Sequence, residues 1–269
     1  MTFWEALILG LVEGITEYLP VSSTGHLLVA QRLLGLEQNA ASNAYAIVIQ
    51  AGAIAAVLGL YWRRCLQMGF GLLGRDPAGA RLVGRLGIAF VPAAVIGLLF
   101  DDAIEYWLFG PWPIVAAWAV GGVLILCLPE SFQRGGKTEL EDMTWKAALV
   151  IGLAQCCALW PGTSRSLATI LGALGVGLSI GAAVEFSFLL GLLTLGAATA
   201  YKGLEQADAM LQAYGAMSLA VGFVTAWLSA ALAVKWMVGW LQSRGLQIFG
   251  WWRLIAAGGV TALLLSGWM

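Results

Sequence analysis

The sequence predicts an all-α polytopic integral membrane protein. It reads as one membrane domain, residues 1–269, built as an inverted-topology repeat of six spanning helices plus two re-entrant helix hairpins. Three observations lead there: a composition too apolar for water, six long apolar runs, and loop charges that leave two broken segments crossing an even number of times. Hydrophobic residues make up 60% of the chain and charged ones 11%, less than half the roughly 25% charge of soluble domains. Thirteen Trp and 35 Gly suit interfacial belts and close helix packing in a bilayer. This excludes a soluble domain, a disordered chain and a nucleic-acid binder, which needs a basic face. The net charge of −1 points to no charged partner.

The region 3–35 comes first, apolar but broken around Pro20. Residues 1–11 lack a basic start and carry Glu5, so they are expected to stay within this hairpin rather than form a cleaved signal. Spans are expected at 44–62, 86–100 and 112–128, the second being short for a ~30 Å core and holding Pro92. A second broken region follows at 147–181, then spans at 184–201, 214–234 and 251–269. Cys65, Cys127, Cys156 and Cys157 fit no zinc ribbon and no disulfide framework, and are expected to be packing residues.

Loop charges give the orientation. The loop 63–85 carries Arg63, Arg64, Arg75, Arg81 and Arg85 against Asp76 alone, and belongs in the cytoplasm. Asp101, Asp102 and Glu105 have no base beside them and belong outside; Arg134, Lys137 and Lys146 return the chain to the cytoplasm. Lys202, Glu205 and Asp208 fall outside by alternation, and Lys235, Arg244 and Arg253 mark another cytoplasmic loop. On this count 147–181 begins and ends on the same side, as a re-entrant hairpin does. With Met1 outside, 3–35 is its counterpart from the opposite face, giving repeats at 1–129 and 147–269. The stretch from Gly10 to Ser23 overlays that from Gly152 to Ser164, pairing Pro20 with Pro161 once one residue is deleted.

Ionisable groups at bilayer depth are costly, so each marks a functional site by default. Glu13 and Glu17, four apart, share one helix face. Two such carboxylates repel unless they face water or a cation, for which oxygen ligands favour Mg²⁺ or Ca²⁺. Pro20 ends the helix, and Ser22, Ser23 and Thr24 put hydroxyls at its tip. A new helix beginning at Gly25 or His26 would offer free amides to a phosphate. His26, the single histidine, is a candidate proton donor or nucleophile, or else a packed residue. In the second tip Arg165 is the lone charge between Lys146 and Glu185. It needs an anion, either a phosphate held bidentately or one of Glu13, Glu17 and Glu185. Gly162, Thr163, Ser164 and Ser166 surround it, with Gln50, Gln155 and Glu185 as weaker polar candidates. Together these residues point to metal-assisted phosphoryl transfer on a substrate with a diphosphate head and an apolar tail.

Glu13-Gly-Ile-Thr-Glu17-Tyr-Leu-Pro-Val-Ser-Ser-Thr-Gly-His26 and Ala158-Leu-Trp-Pro-Gly-Thr-Ser-Arg-Ser166 resemble the signatures of the bacitracin-resistance family of undecaprenyl pyrophosphate phosphatases. Val48-Ile-Gln50, Tyr61-Trp-Arg-Arg64 and Glu185-Phe-Ser-Phe-Leu-Leu190 extend the likeness over essentially the whole chain. The resemblance implies hydrolysis of undecaprenyl pyrophosphate to the monophosphate and inorganic phosphate for cell-wall lipid recycling, with bacitracin resistance. It also implies the bacterial inner membrane, a site open to the periplasm, and a divalent cation, Mg²⁺ or Ca²⁺. By the same resemblance Glu13 and Glu17 hold the metal, and Ser23 and His26 are the catalytic hydroxyl and imidazole beside Glu17. Arg165 clamps phosphate, and Ser22, Thr24, Gly162, Thr163, Ser164 and Ser166 line the pocket.

The nucleophile stays open among Ser23, His26 and water. A lipid or small-anion transporter or flippase is the rival reading, because opposed hairpins with half-helix N-termini also serve transport. Phosphate release without a membrane gradient separates the two. Gly35, Gly52, Gly59, Gly172, Gly191 and Gly222 permit close helix contact within the chain or in a homodimer, and spacing does not choose between them.

Overall fold

A computed structural model describes residues 1–36 and 40–267, apart from the side chains of 40, 41, 43, 202 and 204–213. Among the described residues the chain is helical throughout, with two isolated β-bridges and no strand. The expected placement of Lys202, Glu205 and Asp208 therefore falls outside the described side chains, as does the end of the last span at 268–269.

The first broken region is α1 (Phe3–Thr16) and α2 (Ser23–Leu33). Thr2 and Glu5 close a reciprocal capping box at the start of α1, which satisfies two amides that a helix end leaves free. Beyond Glu17 the chain runs into Pro20, then turns at Ser22, whose φ of 73° lies in the left-handed region. That turn starts α2 at Ser23, not at Gly25 or His26 as the sequence suggested. The second broken region repeats the device. Helix α8 (Trp145–Cys156) passes through a 3₁₀ turn, Cys157–Leu159, and Ser164 at φ 76° caps α9 (Arg165–Gly175).

Ser22 and Ser164 are the only non-glycine residues at positive φ among the described residues. They are separated by the same 142 positions as Gly10 and Gly152. The overlay with one deleted residue is thereby corrected. The strained turns pair Ser22 with Ser164, which sets Ser23 opposite Arg165 without any deletion.

Among the described residues four helices are long and apolar enough to cross a membrane: α5 (Pro77–Leu108), the Ile180–Tyr201 part of α10 (Ile180–Ala213), α11 (Ala216–Arg244) and α12 (Gln247–Leu265). A fifth candidate joins Ala44–Leu60 of α3 (Ala40–Leu60) to α4 (Trp62–Leu72) across an 82° bend. Helix α6 (Pro111–Cys127) has 17 residues, a rise of roughly 26 Å at 1.5 Å per residue. The chain is thus a multi-pass helical protein by length and composition. A short helix α7 (Glu130–Gln133) lies in the connection between α6 and α8.

Several sequence expectations need correction. The stretch 63–85 is not a loop, because α4 fills its first half with Trp62, Leu66 and Phe70 exposed. A helix turned across its predecessor with an apolar outer face and two arginines suits a membrane interface. Pro92 does not limit α5, which begins at Pro77 under an Asp76 cap and changes direction only at Phe100, its one non-helical residue. Asp101, Asp102 and Glu105 therefore ride on α5 beyond that bend. Arg253 is the largest departure: it stands on α12 fully buried, not in a cytoplasmic loop.

Close packing places the broken regions. Helix α1 lies on α11 and α8 lies on α5, while α3 packs on α10 and α6 on α12. Gly14 must be glycine here, since a Cβ would overlap Ser229 and the Ala226 carbonyl of α11. Gly152 plays the same part against the Ala89 carbonyl of α5, 2.5 Å from where a Cβ would stand.

Candidate active site

The two tips meet. Ser166 Oγ donates to the Leu19 carbonyl at 3.0 Å, and Ser164 Oγ reaches the same oxygen at 3.4 Å. Arg253 then locks the junction with its whole guanidinium. Nη1 donates to the carbonyls of Pro20 (3.2 Å) and Thr163 (3.1 Å), and Nη2 to those of Gly162 (2.9 Å) and Ala117 (2.8 Å). Nε completes the set on Trp118 O at 3.4 Å. A buried arginine is tolerable only when its donors are satisfied, and three of its five acceptors, at Pro20, Gly162 and Thr163, are carbonyls of the broken tips outside any helix.

Reactive groups gather beside this junction. Ser23 Oγ donates to the Glu17 carboxylate, so a hydroxyl and a base are already paired. Glu13 is 1% accessible and neither of its carboxylate oxygens has a hydrogen-bond partner. Arg165 lies over the Tyr18 ring at 5.6 Å and spends only Nη1, on the Ser187 carbonyl at 2.8 Å. Its Nε and Nη2 are buried without partners. Gly191 leaves room for the guanidinium, since a Cβ there would lie 2.6 Å from Cζ. Tyr18 follows Glu17 in the first tip and lies under Arg165 of the second, so its ring links the two tips. Buried polar atoms are nearly always paired, so the unpaired Glu13 carboxylate and the unpaired Arg165 donors, one on each of two docked tips, mark a candidate ligand site.

Other candidates stand apart from that centre. His26 Nδ1 sits 2.7 Å from the Ser22 carbonyl, and its Nε2 accepts from Trp252 Nε1 at 2.9 Å. The indole is a donor only, which assigns the proton to Nδ1 and occupies both ring nitrogens. No hydrogen bond joins His26 to Ser23, Glu13 or Glu17 among the described residues. Thr24 is exposed, and the Ser164 and Ser166 hydroxyls are engaged in tip docking. Gln50 accepts from Thr199 at 2.9 Å, and both polar atoms of Gln155 are buried unpaired. Arg165 forms no ion pair with Glu13, Glu17 or Glu185 among the described residues. Glu185 is instead paired with Arg64 at 2.6 Å, and Arg64 also reaches Glu141 at 2.7 Å. That guanidinium holds the Glu141 carboxyl below the usual carboxylate range.

A sequence model of the family described as bacitracin resistance protein BacA matches residues 6–259. The chain belongs to that family. Among curated relatives, the undecaprenyl-diphosphatase of Sorangium cellulosum is 46% identical over 268 residues, covering 97% of this chain and 86% of its own. Undecaprenyl-diphosphatase 2 of Rhodospirillum rubrum is 46% identical over 263 residues, covering 98% and 95%. The undecaprenyl-diphosphatase of Ectopseudomonas mendocina is 44% identical over 257 residues, covering 94% and 92%.

Within this BacA-family chain, sequence reasoning missed Arg253, Trp252, Ser187 and Tyr18. Arg253 carried a usable signal, because it is a lone charge in an apolar stretch just as Arg165 is. Its place near the start of a run made it look like a loop residue. Tyr18, Ser187 and Trp252 had no such signal.

Proposed function

We propose that the chain hydrolyses undecaprenyl diphosphate to undecaprenyl phosphate and inorganic phosphate, at a site made by both hairpin tips. Family membership and the relatives' names support the reaction. The observation that carries the site assignment is the contact of Arg165, with two unpaired donors, on Tyr18, which follows Glu17 of the Ser23–Glu17 pair on the tip whose Glu13 also has unpaired oxygens.

The residues fit a divalent cation. Among the described residues no cluster of three or more His, Cys, Asp or Glu is gathered. Two carboxylates are nonetheless what Mg²⁺ commonly takes from protein when phosphates and water complete its shell. Glu13 and Glu17 would hold such a cation, and a bound Mg²⁺ or Ca²⁺ would neutralise charge on the diphosphate. Arg165 Nε and Nη2 and the first amides of α9 bind the terminal phosphoryl group. Ser23 Oγ attacks that phosphorus while Glu17 takes its proton. The bridging P–O bond breaks, Glu17 hands the proton to the departing oxygen, and undecaprenyl phosphate leaves. Water then attacks the phosphoserine, its proton passing through Glu17 back to Ser23 Oγ as inorganic phosphate departs. His26 holds the tip's turn through Ser22 and orients α2.

The finer architecture belongs to the same proposal: repeats at 1–129 and 147–269 in inverted topology, six spans, and hairpins at 3–35 and 147–181. Supporting it are the constant offset of 142 and the reciprocal packing of α1 on α11 and α8 on α5. The site opens to the periplasm of the inner membrane, the side on which loop charge puts the first hairpin.

Detergent-solubilised protein is the test. Phosphate release from undecaprenyl diphosphate with no gradient, lost in Ser23→Ala and accompanied by an acid-stable phosphoserine in the parent, is the expected result. Turnover that survives Ser23→Ala removes the serine step, and no release from the folded parent removes the reaction.

A further inference from the structure

Tyr18 is fully buried, yet its hydroxyl has no hydrogen-bond partner. A phenol in a core normally finds one, and an unpaired O–H carries a desolvation penalty. Packing does not require the oxygen. The ring meets Phe188 edge-on at 5.3 Å and 85°, and Tyr61 braces Phe188 at 5.9 Å. A phenylalanine would make those contacts equally well. The same ring supports the Arg165 guanidinium at 5.6 Å, so Tyr18 is fixed directly against the candidate phosphate clamp.

Its unpaired neighbours have complementary chemistry. Arg165 Nε and Nη2 are donors, and Glu13 Oε1 and Oε2 are acceptors, all buried and none of them bonded to Tyr18 or to each other. A group that satisfies such a set presents oxyanions to the arginine and the phenol, and a cation to the carboxylate. A phosphoryl group with its counter-cation does both.

We infer that Tyr18 is a substrate-binding residue whose hydroxyl donates a hydrogen bond to a phosphoryl oxygen of the bound diphosphate. This rests on the proposed diphosphate site. No covalent step involves Tyr18. Because the bond is made in ground and transition states alike, its loss weakens binding and leaves the chemical step largely unchanged.

The test is Tyr18→Phe, which keeps every ring contact. Purified parent and variant are compared for phosphate release, for affinity toward a methylene-bisphosphonate lipid analogue, and for melting temperature in detergent. The expected result is a rise in KM and in the analogue's dissociation constant of about tenfold or more, kcat within about twofold, and a melting temperature at or above the parent's. Analogue affinity within twofold of the parent overturns the inference. So does a drop of several degrees in melting temperature, which would mean the hydroxyl is bonded within the resting protein. A parent that releases no phosphate defeats the proposed reaction separately, and the analogue affinities still decide the role of Tyr18.

Discussion

Replacing Arg253 with methionine keeps most of the side chain's volume and removes its five donor contacts. Four of those are 3.2 Å or shorter, and three go to the broken tips at Pro20, Gly162 and Thr163. Hydrogen bonds to a charged donor contribute roughly 1.5–3 kcal/mol each, but they are not additive, and neutral interhelical bonds in membranes average nearer ~0.6 kcal/mol. Leaving a buried carbonyl without its donor costs about 1–3 kcal/mol, and that loss would fall on the tip carbonyls of Pro20, Gly162 and Thr163. The tips would also lose their mutual register, and a shift near 1 Å in catalytic groups costs on the order of 10²-fold in rate. Arg253→Met should therefore lower both the detergent melting temperature and kcat/KM, the latter by about 10². Arg253→Lys should recover part of the stability and little of the rate, since an ammonium has three donors and no planar fork. Melting temperature and phosphate release measured on the same preparations decide it. An Arg253→Met protein that matches the parent in both would refute the idea that this residue fixes the tips.

Gly191→Ala sets a Cβ 2.6 Å from Arg165 Cζ, so it should displace the clamp and lower kcat/KM at least about tenfold, read by steady-state kinetics. His26→Ala frees the Ser22 carbonyl and Trp252, loosens the turn that positions Ser23, and should cost about 10² in rate. His26→Gln, with an acceptor for the indole and a donor for the carbonyl, should recover part of that loss in the same assay. Chelator should abolish phosphate release and added Mg²⁺ or Ca²⁺ should restore it in the parent but not in Glu13→Gln, measured by a metal titration. Glu141, held below its ordinary value by Arg64, stabilises the fold above about pH 4.5, and that contribution fades as pH falls through the lowered value. Arg64 is 30% and Glu141 53% exposed, so Glu141→Gln should lower stability at neutral pH by under ~1 kcal/mol and make the fall of melting temperature with acid shallower.

The sequence made the helical membrane class legible because composition and apolar run length are global properties. The two broken regions were legible for a local reason: Pro20 and Pro161 interrupt apolar stretches that hold hydroxyls and lone charges. Boundaries were less visible, since α5 runs through Pro92 and α4 continues where arginines suggested a loop. The start of α2 depended on the left-handed turn at Ser22, which no side-chain pattern announces. Spacing put Glu13 and Glu17 on one helix face, while Ser23 beside Glu17 followed only from the family resemblance. Tyr18 under Arg165 could not be anticipated, because that contact joins residues 147 positions apart through the packing of two hairpins. Arg253 shows the limit of charge counting: one buried arginine contributes to a loop tally exactly as a solvated one does.

The most direct measurement is an experimental structure of the protein with a methylene-bisphosphonate lipid analogue and Mg²⁺ or Ca²⁺. The account predicts one diphosphate lying between the tips, its terminal phosphoryl oxygens bonded to Arg165 and the cation on Glu13 and Glu17, with Ser23 Oγ facing the phosphorus. An analogue seated elsewhere, with Arg165 and Glu13 still unpaired in the core, would contradict it.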